Sequence, residues 1–68
     1  MWVSKVNELI GSSPDGFEQA ARSVVERANR TLRGITGIEI VKENAAVEDG
    51  KILEYRATVN VTFVLEGT

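Results

Sequence analysis

The sequence predicts an α+β fold of order β-α-β-β, a long antiparallel hairpin wrapping one helix. Three observations point there. From Lys51 to Glu66 polar and apolar residues alternate almost without error, the period of an extended strand with one buried face. Between Phe17 and Leu32 the apolar and small residues instead fall three and four apart, as on one face of a helix. The pair Asp49-Gly50 sits between two extended runs, and such a pair is the preferred chemistry of a two-residue hairpin turn.

Val3 to Ile10 reads as a first strand, carried by Val3, Val6, Leu9 and Ile10. The run Gly11-Ser12-Ser13-Pro14-Asp15-Gly16 is expected to break it. Ser13 suits a helix N-cap, Pro14 the first helical position, and Asp15 complements the positive end of the helix dipole. The buried stripe is then Ala20, Ala21, Val24, Val25, Ala28, Thr31 and Leu32, with Glu18, Arg22, Glu26 and Arg30 spaced four apart on the other side. Arg27, Arg30 and Arg33 are expected near the C-terminal turns, with Gly34 as the cap. This is a helix of about 20 residues, roughly 30 Å long.

Ile35 to Val47 reads as the second strand, with Ile38 and Ile40 on one face and Glu39, Val41 and Glu43 on the other. The third strand, Lys51 to Glu66, places Leu53, Tyr55, Ala57, Val59, Val61, Phe63 and Leu65 on its apolar face. Its other face carries Ile52, Glu54, Arg56, Thr58, Asn60, Thr62, Val64 and Glu66. Fully extended, this strand is about 50 Å long. A compact domain of this size has a radius of gyration of about 11 Å, which makes it roughly 28 Å across. The strand overshoots its own domain: either it is sharply bent or its ends find partners on other copies of the chain, and the second is the more natural expectation.

Composition leads to the same expectation. The 68 residues form one domain, 1–68, near the size at which folding buries only about 60% of the unfolded surface. No cysteine is present, which excludes disulfides and thiolate metal sites, and no histidine, which removes the commonest general base. Further stability must come from self-association or from a hard cation held by oxygen ligands. A net charge of −2 argues against nucleic acid as partner, and no apolar run approaches a membrane span. Met1-Trp2-Val3-Ser4-Lys5 lacks the apolar core of a signal peptide, so a cytoplasmic protein is expected.

Little catalytic chemistry is visible. Ser12 and Ser13 have no histidine to activate them and are explained as turn and capping residues. The glycines of the 11–16 run lack the lysine and spacing of a phosphate-cradling loop. The three arginines are read first as helix electrostatics, with a phosphate or acidic-ligand site as the alternative. Glu39, Glu43, Glu48, Asp49, Glu54 and Glu66 read as solvated strand residues, although a carboxylate near a threefold axis is presented three times and begins a hard-cation site. Trp2 is expected to pack at a subunit contact, the alternative being to stack on a flat ligand. Arg56, in mid-strand on the polar face, needs a carboxylate, a phosphate or solvent.

Lys5-Val6, Gly11-Ser12-Ser13, Arg27-Ala28, Thr31-Leu32, Tyr55 and the closing Val61-Thr62-Phe63-Val64-Leu65 occur in an order and spacing that resembles the dodecins. That family comprises small β-α-β-β proteins assembled as hollow spherical homododecamers. The resemblance spans nearly the whole chain and implies such an assembly. It also implies two pocket positions. Flavin-binding dodecins stack the isoalloxazine ring on a tryptophan, where this sequence has Gly37, and hydrogen-bond it with a glutamine, where this sequence has Arg56. A branch called calcium dodecins likewise lacks the tryptophan and carries the arginine, and Gly11-Ser12-Ser13-Pro14 with Phe17-Glu18-Gln19-Ala20 is similar to its helix start. The resemblance therefore implies a non-enzymatic store for calcium, another ion or an anionic metabolite, with metal ligands unassigned. Flavin storage by a degenerate pocket and a ligand-free structural shell are the alternatives, and an enzyme ranks last.

Overall fold

The chain is organised around its last strand. In the computed structural model, which describes residues 3–65, β3 (Lys51–Val64) is the centre of a three-stranded antiparallel sheet of order β1-β3-β2. It lies between β1 (Ser4–Ser13) and β2 (Ile35–Glu48), and α1 (Phe17–Ala28) packs on one face of the β1–β3 pair. The β-α-β-β order and the long hairpin are as the alternation and the Asp49-Gly50 pair predict. Both turn residues have positive φ, 52° at Asp49 and 74° at Gly50, which matches the right-handed twist of the flanking strands. Gly50→Ala is expected to weaken the hairpin by about 1 kcal/mol, the cost of a left-handed residue with a Cβ. A urea midpoint equal to that of the parent would contradict it.

The molecule measures 53 × 19 × 13 Å, and its radius of gyration of 14.0 Å exceeds the compact expectation. Ser13 of β1 pairs with Tyr55, so the hairpin beyond Tyr55 has neither β1 beside it nor helix beneath it. The edge-to-face contact of Phe17 and Tyr55, with ring centroids 4.9 Å apart, closes the helix onto the sheet at that point.

The core is small in both number and size. Its buried residues are Ala20, Ala21, Val24, Ala28, Ala57, Val59, Val61 and Phe63. Leu9, Leu32 and Ile35 pack at its margin. Ten larger apolar side chains remain exposed among the described residues, Ile10 most of all at 70%. A chain that leaves Val6, Ile10, Ile38, Ile40, Val47, Ile52 and Leu53 in water has most of its large apolar surface available for other copies.

Several boundaries differ from those the residues predict. β1 does not break at Gly11 but continues to Ser13, because Gly11 pairs with Ala57 and lies directly under the helix. Ser13 is not the N-cap. Its hydroxyl accepts from the Asp15 N–H at 3.0 Å to form a turn, and the helix is capped at Gly16, whose carbonyl takes the first helical bond from the Ala20 N–H at 3.0 Å. The helix has 12 residues, not about 20. At its C-terminal end the Leu32 N–H donates to the Ala28 carbonyl, turning the chain so that Leu32 reaches the core margin. Consequently Arg30 and Arg33 lie beyond the helix, and Gly34, at φ 70°, leads into β2 instead of capping α1. The Glu18–Arg22 pair forms at 3.7 Å, and the extended Glu26–Arg30 spacing loses its helical geometry. Trp2 and Glu66 lie outside the described residues.

Candidate functional site

Two faces of the sheet must be distinguished. The odd-numbered residues of β3 from Tyr55 to Phe63 lie on the helix side together with Gly11, Leu9, Ile38 and Ile40. The even-numbered residues lie on the face without helix, where Arg56, Thr58, Asn60 and Thr62 form a polar column along the centre. Cross-strand pairing sets four rows there: Ser12–Arg56–Asn44, Ile10–Thr58–Lys42, Glu8–Asn60–Glu39 and Val6–Thr62–Gly37. Neighbouring strands are about 4.8 Å apart, so Glu8 and Glu39 flank Asn60 at a Cα separation of about 10 Å.

Arg56 has an identifiable partner. Its Nε donates to Glu54 Oε2 at 2.6 Å, two residues earlier on the same face, with both side chains partly exposed at 48% and 37%. A charge-assisted bond of that length holds the guanidinium along the strand direction. Gly37 sits beside a bulge at Thr36, where the β2–β3 pairing shifts by one residue, and an added Cβ would meet nothing within 4 Å. The position expected to carry a ring platform is thus an open surface. The described aromatic residues Phe17, Tyr55 and Phe63 all belong to the helix side.

The structure does not bring the two expected pocket positions together within one copy. Gly37 stands opposite Thr62, six residues along β3 from Arg56, a separation of about 20 Å. They share a face but not a pocket. Any small ligand that touches both must do so across two copies.

Among the described residues no group of three or more carboxylates is close enough to hold a metal ion. The Glu8–Asn60–Glu39 row supplies two carboxylates and an amide, short of the six to eight oxygens calcium takes. This row escapes the sequence because strand pairing assembles it. The Glu54–Arg56 pair was legible, since residues two apart on a strand share a face. Glu43 corrects the sequence reading: the bulge at Val41 reverses the phase of β2, so Glu43 pairs opposite Ala57 on the helix side and not with Glu39.

Residues 3–66 match the Dodecin family model. The calcium dodecin of Mycobacterium tuberculosis is 35% identical over 63 residues, covering 93% of this chain and 89% of that protein. Its crystal structure, described as calcium chelating and as having a novel calcium-binding site, superposes with a TM-score of 0.83 at 36% identity, covering 97% and 94%. The dodecin of Thermus thermophilus is 33% identical over 66 residues, covering 97% of this chain and 96% of that protein. The dodecin of Streptomyces coelicolor superposes with a TM-score of 0.94 at 34% identity, covering 98% and 96%.

Proposed function

The chain belongs to the dodecin family, and we propose that it is a non-enzymatic homododecameric store for a small polar ligand, an ion such as calcium or an anionic metabolite, and not for a stacked flavin. The observation that carries this reading is the pair of pocket positions. Gly37 offers no side chain to an aromatic ring, and Arg56 is already bonded to Glu54 on a face lined by threonine, asparagine and glutamate. A ring platform lost from a stacking site removes about 1–3 kcal/mol, taking base–aromatic stacking as the analogue. The acceptors that replace it suit a hydrated cation or a hydrogen-bonding metabolite.

The likeness to the calcium dodecin supports calcium within that class. Because a single copy gathers too few carboxylates, the site requires residues from symmetry-related copies, which makes assembly a condition of binding. Native mass spectrometry is expected to show a twelve-chain species. Monomers or dimers alone at micromolar concentration would refute the assembly.

Thermal melting tests the ligand. A ligand that binds only the native state stabilises it by about 2.7 kcal/mol at a hundred times its dissociation constant. Calcium is expected to raise the melting temperature by several degrees, reversed by a chelator, while riboflavin emission stays unchanged on titration with protein. Quenching of riboflavin with no response to calcium or to phosphate-bearing metabolites would transfer the assignment to flavin storage.

A further inference from the structure

Arg27, Arg30 and Arg33 fall in a stretch, from Arg27 to Ile38, that holds no carboxylate, although the protein carries a net charge of −2. Helix electrostatics explains only the first of them. α1 ends at Ala28, with Arg27 in its last turn. Past that point the backbone closes the helix by itself: the N–H groups of Asn29, Arg30, Thr31 and Leu32 donate to the carbonyls of Val25, Arg27 and, twice, Ala28. Arg30 and Arg33 lie exposed beyond this cap, and neither guanidinium has a hydrogen-bond or ion-pair partner among the described residues.

The two arginines line a hollow of about 430 Å³ in the turn after α1. Asn29, Thr31 and Gly34 complete its polar wall, and Leu32 is its one apolar side chain. The backbone adds donors to the same turn. The Arg33 and Gly34 N–H groups have no backbone acceptor among the described residues, and Gly34, at φ 70°, is left-handed. Successive N–H groups left open in such a turn form a concavity that binds anions. The Thr31 hydroxyl, 3.5 Å from the Ala28 carbonyl, is held only at the limit of a hydrogen bond and can turn to a ligand.

We infer that this turn is a second binding site, for a doubly charged oxyanion of the phosphate-monoester class. The forked guanidiniums of Arg30 and Arg33 match the oxygens of a phosphate, and two cations neutralise its two charges. A lone carboxylate would leave one guanidinium unneutralised, and a divalent cation is repelled. The site is separate from the polar column. Ile35, at the end of the turn, pairs with Phe63, seven residues along β3 from Arg56, a distance of about 23 Å. It therefore stands independently of the ligand stored on the polar face, and neither reading falls with the other.

Equilibrium dialysis of the whole protein against labelled inorganic phosphate, at low ionic strength, tests it. Phosphate should bind with a dissociation constant of about 1 mM or below. Arg30→Gln with Arg33→Gln should weaken binding on the order of tenfold or more, the loss of two charge-assisted contacts. Arg33→Lys, which keeps the charge but loses the fork, should weaken it severalfold. Arg22→Gln removes an exposed arginine already engaged by Glu18 and should bind phosphate like the parent. Far-UV circular dichroism checks that each variant remains folded, as expected for exposed side chains. Competition by glucose 6-phosphate would assign the site to phosphorylated metabolites, and its failure to compete would assign it to the free ion. Acetate that competes as well as phosphate, or a double variant that binds like the parent, would overturn the site. So would the absence of phosphate binding. Loss of binding on Arg56→Gln, with the turn variants unaffected, would move the phosphate to the polar column and overturn it too.

Discussion

Gly11→Ala is expected to destabilise the protein by about 2–3 kcal/mol, at the upper end of what overpacking costs. A Cβ at this position would stand 2.4 Å from the Ala20 carbonyl oxygen and 2.5 Å from a Val24 methyl. The first of these is helix backbone and cannot move aside without lifting α1 from the sheet. The helix sits this close because Ala20, Ala21 and Ala57 are also small, and the thin core that results has little stability to spare. Denaturant unfolding of parent and variant at equal protein concentration measures the difference. Gly37→Ala is the control, since a Cβ there meets nothing within 4 Å and should change the midpoint little. Equal effects from the two alanines would show that the loss is a general property of glycine in these strands and not a helix contact.

The second large effect is a gain of ligand. Gly37→Trp together with Arg56→Gln is expected to confer riboflavin binding, with affinity about 5- to 150-fold above the parent if stacking contributes 1–3 kcal/mol. The open surface at position 37 admits the ring, and removing the guanidinium frees Glu54 from its 2.6 Å bond. Since the two positions are about 20 Å apart along β3 in one copy, the gain must depend on assembly. It should fall when the protein is diluted below its dissociation concentration. Quenching of flavin fluorescence reads the binding directly. A double variant no better than the parent would mean that these two positions do not form the pocket that the resemblance to flavin-binding dodecins implies.

How much of this was legible in the residues depends on the distance over which each feature is encoded. The buried face of β3 followed from alternation alone, because period two places Ala57, Val59, Val61 and Phe63 together whatever lies above them. The Asp49-Gly50 turn was equally local, its positive φ values being what those two residues tolerate. The helix limits were not. Ser13-Pro14-Asp15 forms a plausible start, but Ser12 and Ser13 are held in β1 by pairing with Arg56 and Tyr55, more than forty residues along the chain. Strand pairing over that distance overrides a capping preference of about 1 kcal/mol.

The site divides in the same way. The sequence by itself determined the strand that overshoots its domain, the polar face bearing Arg56, the absence of cysteine and histidine, and the family. Only the tertiary structure decided that Glu8, Asn60 and Glu39 share a row, that Glu43 faces the helix side, and that Gly37 and Arg56 lie apart. The reason is physical. Periodicity fixes which side of its own strand a residue occupies, whereas a bulge such as those at Thr36 and Val41 adds one residue and reverses every later side chain. Where bulges form is set by the pairing of whole strands and by the helix resting on Gly11, and no local pattern in β2 records it.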